Sequence, residues 1–215
     1  LTTHRDSSPP IDRSVASSVL AIAVAAGATF MCARRDRSVV FRSLRENGPA
    51  LLVPAAWLVA ALAVVRVVST RALLVAHVVM SALLVAFVAA SRRDMATGVL
   101  RAWKLTVLAG TPVTLAGVLG FLARDGVAFA AALPTDALLA VAFYGWMLLP
   151  APAFVYTGLR DATAPRSTVH HVAAVCSVAG AAVAALAGSG AGTVAGIALV
   201  GLGQTAGILA ATALY

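Results

Sequence analysis

Residues 170–215 include no charged side chain at all. A stretch of that length cannot form a water-facing surface. It is about twice what one helix needs to cross a bilayer, roughly 20 residues at 1.5 Å each. Its middle holds Gly188-Ser189-Gly190-Ala191-Gly192, a natural hinge. Two membrane-crossing helices over 170–187 and 192–213 are therefore predicted.

The rest of the chain repeats this pattern. Apolar runs cover 15–33, 49–68, 72–90, 105–123 and 136–159, with short charged loops between them. Only 11% of the 215 residues are charged and 61% are hydrophobic, whereas a soluble domain carries about a quarter charged residues. The predicted fold is all-α: a polytopic integral membrane helix bundle of about seven transmembrane helices, forming one domain over 15–215. A polar arm over 1–14, with Pro9-Pro10, is expected to be disordered. Residues 38–47 mix Val39, Val40, Phe41 and Leu44 with Arg42, Arg45 and Glu46, which predicts a short interfacial helix. Arg66 is placed just inside the end of its run, within reach of the headgroups.

The charges set orientation. Arg34-Arg35-Asp36-Arg37 follows the first apolar run instead of preceding it, the reverse of a secretory signal, so that run is predicted to stay as a span. Loops 34–47, 91–104 and 160–168 share one side and hold eleven basic residues, against five on the other side. The excess of Lys and Arg predicts the N-terminus outside and the C-terminus cytoplasmic. The net charge of +8 is thus read as membrane orientation and contact with anionic headgroups, not as a nucleic-acid patch. Lys104 is the only lysine among sixteen basic residues. That arginine bias, with abundant alanine, valine and glycine, suggests a GC-rich prokaryote and its cell membrane.

Several kinds of chemistry are disfavoured. Seven spans with an external N-terminus invite comparison with retinal proteins, but the last run has no lysine for a Schiff base. Cys32 and Cys176 match no metal or redox spacing. His77 and the pair His170-His171 belong to opposite ends of their spans, about 20 Å apart across a core some 30 Å thick, too far to share a metal. His77 is expected to bond Ser81 or a neighbouring helix, and His170-His171 to be solvated at the interface. No Asp or Glu falls mid-span, which argues against ion-coupled transport. Ser189 follows Ala187-Gly188, lacks the glycine that an intramembrane serine protease motif needs two residues before the serine, and has no histidine after it. No catalytic residue, metal or cofactor is assigned.

Two constellations remain. The fifth run combines Tyr144, Trp146, Pro150, Pro152 and Tyr156, so a kinked or locally unwound helix is predicted there. A pocket between it and the fourth run, near Thr111, Pro112 and Thr114, is the candidate site; a plain structural kink is the simpler reading. In the last hairpin Gly192, Gly196, Gly203 and Gly207 form a stripe that Gln204 adjoins, preceded by Gly180, Ala184 and Gly188. Small residues at such spacing let helix backbones approach closely in lipid. The stripe serves either packing within the chain or docking of another membrane protein through the C-terminal hairpin. The functional expectation is a non-catalytic component beside a larger membrane complex. The alternatives are a small permease or carrier for an apolar or lipid-like substrate, and a membrane enzyme with an unrecognised site.

Overall fold

The computed structural model describes residues 37–90, 95–162 and 164–212, and every regular element among them is an α-helix. They are α1 (Arg37–Val64), α2 (Thr70–Ala90), α3 (Gly98–Arg124), α4 (Thr135–Leu148), α5 (Ala151–Arg160), α6 (Ala164–Ala187) and α7 (Gly190–Thr212). The arm over 1–14, the predicted span 15–33 and Cys32 lie outside the described residues. Among the described residues five helices are long and apolar enough to cross a membrane, counting α4 and α5 as one interrupted span, and α1 contributes a shorter apolar segment, Leu51–Val64. The structure is thus a helical membrane bundle.

Residues from Phe41 onward group as one unit; those up to Val40 group apart from it, and of these only the first turn of α1 is described. In the larger unit α6 and α7 pack along each other, α3 lies against α2 and α4, and α5 lies against α6. The distribution of side chains is the reverse of that in a soluble domain. Thr114, Ser177, His170 and Gln204 are buried, while Leu186 is 89% exposed and Leu202 73% exposed. Lipid, not water, makes that arrangement favourable, because an apolar solvent leaves polar groups to find partners inside the protein.

Helix ends depart from the apolar runs in ways the backbone explains. No break separates an interfacial helix over 38–47 from a span: α1 runs through Gly48-Pro49 without interruption. It stops at Val64, before Arg66. Arg66 takes φ +62, Val67 N–H donates to Leu62 O at 2.9 Å, and Arg66 N–H donates to Ala63 O at 3.0 Å. This pair of bonds is a Schellman cap with arginine in the left-handed position that usually takes glycine. Arg66 therefore belongs to the turn, not to the end of the helix. The end of α3 has the same cap with Gly126 at φ +72. There Val127 N–H donates to Leu122 O and Gly126 N–H to Ala123 O.

At its start α3 begins at Gly98, a full two turns before the apolar run at 105, so Trp103 and Lys104 are helical residues. The final hairpin turns over two residues, Gly188 and Ser189, with Gly188 at φ +68. Gly188 is consequently part of the turn and not of the stripe through Gly180 and Ala184.

Candidate functional site

Two prolines determine the geometry of the fifth apolar run. Pro150 has no N–H to give Trp146 O, and Pro152 none to give Leu148 O. The helix accordingly stops at Leu148, passes Leu149 and Pro150, and resumes at Ala151. A carbonyl left without its bond in lipid is costly unless protein supplies a donor.

For Trp146 O the donor is Gln204, buried on α7. Its Nε2 donates to Trp146 O at 3.2 Å and to Met147 O at 3.3 Å, and lies 3.4 Å from Ser177 Oγ. Its Oε1 accepts the Trp57 indole N–H at 3.0 Å. The chemistry of the partners fixes the orientation of this amide: an indole N–H can only donate, and the carbonyls can only accept. Ser177 in turn donates to Ala173 O at 2.9 Å. One glutamine thus ties α1, the α4–α5 break, α6 and α7 together.

Of the predicted pocket residues, Trp146 and Thr114 come together here, with Pro150 at the break one turn on from Trp146. Trp146 Nε1 donates to Thr114 Oγ1 at 2.9 Å, and Thr114 donates to Gly110 O at 2.9 Å. The Trp146 ring occupies the space a Cβ at Gly110 would need. The remaining pocket residues lie elsewhere. Tyr144 packs edge-on against Phe143, with ring centroids 5.0 Å apart, on the edge of the apolar cluster that includes Met147 and Val200. Tyr156 sits under the Arg160 guanidinium, 5.2 Å from its ring centroid. The Thr111 hydroxyl bonds its own helix at Val107 O, 3.2 Å away, while Pro112 and Pro152 are exposed.

The glycine stripe faces the chain's own helices. A Cβ on Gly196 would fall 2.5 Å from Gly180 O, and one on Gly180 would fall 2.6 Å from Gly196 O, so the two backbones cross in contact. Gly203 lies against Cys176, Gly207 against Phe154 and Ala173, and Gly192 against Ala187. The stripe packs the α6–α7 hairpin and reaches Phe154 of α5.

The histidines differ from expectation. His77 Nδ1 bonds Leu73 O at 2.8 Å and its ring meets Phe121 edge-on at 5.1 Å, whereas the Ser81 hydroxyl bonds the His77 carbonyl and not the ring. His171 is half-buried with Nδ1 on Ser167 O at 2.8 Å. His170 is not solvated. It is fully buried, stacks on Phe154 at 6.3 Å, and neither ring nitrogen has a hydrogen-bond partner. A helical reading of α6 could have found this, because His170, Ala173, Ala174, Ser177 and Ala181 recur at three- and four-residue steps, all buried. The hydroxyls of Thr193 and Thr205 are also buried without a partner.

Among the described residues no three His, Cys, Asp or Glu side chains group closely enough to hold a metal ion. Comparison with protein families, with curated proteins and with solved structures yields no match for this chain. What the residues define is a class: a multi-pass helical membrane protein with a polar joint at a proline break.

Proposed function

We propose that this chain is a non-catalytic component of a prokaryotic cell membrane, packing beside a larger membrane complex with its N-terminus outside and its C-terminus cytoplasmic. The observation that supports it is the state of the broken helix. Two carbonyls at the break, those of Trp146 and Met147, are taken by Gln204 of the same chain, and the Trp146 indole is taken by Thr114. A joint whose polar groups are engaged with one another stiffens a scaffold.

The alternative, a small carrier for an apolar or lipid-like substrate, draws on the same break. A carrier needs that break to line a path, with groups left for a substrate to engage, and here the Trp146 and Met147 carbonyls and the Trp146 indole are already bonded within the chain. The scaffold reading is the better supported for that reason. Because the stripe of Gly192, Gly196, Gly203 and Gly207 faces α5 and α6, a partner in this reading meets the outer face of the C-terminal hairpin, where Leu202 and Leu209 are exposed.

The test is purification from native membranes in a mild detergent with mass-spectrometric identification of what co-purifies. A stoichiometric membrane partner is expected. Recovery of the chain alone, together with saturable substrate uptake by proteoliposomes, would favour the carrier.

A further inference from the structure

Helix α5 is short and held separately from the span it continues. It runs for ten residues, Ala151–Arg160, between the proline break and Asp161. Two polar bonds attach it to its neighbours. Trp103 Nε1 of α3 donates to Thr157 Oγ1 at 3.1 Å, and Ser167 Oγ of α6 donates to Gly158 O at 2.8 Å. One turn earlier on α5 lies Phe154, 0% exposed, with the Trp103 ring edge-on at 4.9 Å and the His170 ring of α6 stacked on it at 6.3 Å. The contact between α5 and α6 thus runs through an imidazole.

His170 is 0% exposed, and neither of its ring nitrogens has a hydrogen-bond partner. The charged and titratable groups acting on it are Asp161, ahead of α6, and Arg166 and His171 on α6. α7, which reaches Phe154 through Gly207, has no ionisable side chain. α3 and α5 bring Arg101, Lys104 and Arg160 toward the same end, positive charges that disfavour another. Asp161 is the anion in this group; its Oδ2 lies 3.7 Å from Arg166 Nε, and it does not bond the ring. A neutral imidazole in this place forgoes its hydrogen bonds. An imidazolium would add a buried charge with no acceptor for either N–H, which costs far more. The closed packing therefore suits the neutral ring alone, whereas an imidazole in water takes up a proton near pH 6.5.

We propose that His170 is a proton-sensitive latch: uncharged, it lets α5 close on α6, and once it takes a proton from solvent it holds that contact open. Burial supplies the coupling. A ring with no exposed surface meets solvent only when the first turns of α6 and the face of α5 around Phe154 part, and in its charged form it cannot return to the same packing. A hinge for the movement exists at Leu149 and Pro150, where α4 and α5 are already discontinuous. The Gln204 joint lies on the Trp146 side of that break and stays closed. The contact is thus secure above about pH 6.5 and is lost as the pH falls below it.

The experiment follows the full chain in detergent by hydrogen exchange and mass spectrometry, with rates corrected for the intrinsic pH dependence of amide exchange. The opening equilibrium for the amides of 153–160 and 167–174 should rise about tenfold from pH 7.5 to pH 5.5, the factor for one proton taken up by the open form alone. Amides of α2 should show no such rise. His170→Phe keeps a ring against Phe154 but cannot titrate, so its opening should be the same at both pH values. His170→Gln should give the same flat profile, and replaces the phenylalanine variant if the melting temperature at pH 7.5 shows that one to be unfolded. His77→Gln and His171→Gln, which remove other imidazoles, should retain the tenfold rise. Opening indifferent to pH in the parent chain overturns the proposal. So does an undiminished rise in the His170 variants, or a rise shared equally by every helix.

Discussion

Arg66 and Gly126 occupy the same position in two Schellman caps, one residue type unfavourable there and the other suited to it. A non-glycine residue in the left-handed region costs roughly 1–2 kcal/mol through the clash of its Cβ with the backbone. Glycine gives back part of that through its greater freedom when unfolded. Arg66→Gly should therefore raise stability in detergent by about 0.5–1 kcal/mol, read as a higher midpoint of thermal unfolding. An unchanged or lower midpoint would mean that the arginine side chain compensates for its backbone, for instance through the headgroups. The sequence placed Arg66 correctly near a helix end, but which residue takes a positive φ depends on where α1 stops. That stop was masked by Val67 and Val68, which continue the apolar run after the helix has ended.

At the scale of elements, α6 and α7 cross in backbone contact at Gly180 and Gly196. There is no room for even a methyl group there without displacing backbone. Gly196→Leu should prevent the hairpin from closing, with strongly reduced yield of folded protein, and Gly196→Ala should cost on the order of 1–3 kcal/mol through overpacking. Detergent stability of the alanine variant equal to that of the parent would show that the helices are not in contact. The stripe itself was legible, because glycines at steps of four can only serve close approach. Its partner was not, since spacing on one helix does not say which helix meets it. The same holds for the fifth run. Pro150 and Pro152 announced a break, but the donor that closes it lies 58 residues away on α7. Tyr144 and Tyr156 looked like its companions in the sequence, yet they project to different surroundings, since twelve residues of helix put them about 18 Å apart and roughly a third of a turn round.

For the whole molecule, hydropathy and charge gave the class, since long apolar runs leave lipid as the only solvent compatible with an exposed Leu and Val surface and a buried Thr, Ser and Gln interior. The orientation rests on the distribution of Arg and Lys and is open to a direct check. In a cysteine-free background, Thr97→Cys should be labelled only from the cytoplasm and Ser189→Cys only from outside. Labelling in the opposite sense would reverse the bundle. The most direct measurement concerns the joint that holds α1, α4, α5, α6 and α7 together. In a double-mutant cycle, Gln204→Leu leaves the Trp146 and Met147 carbonyls and the Trp57 indole without partners, and Pro150→Ala restores an N–H to Trp146 O. Unfolding free energies should show Gln204→Leu alone costing about 1–3 kcal/mol, and a smaller cost when Pro150→Ala is present, a coupling of roughly 0.5–2 kcal/mol. Strictly additive effects would contradict the assignment of Gln204 as the group that closes the break.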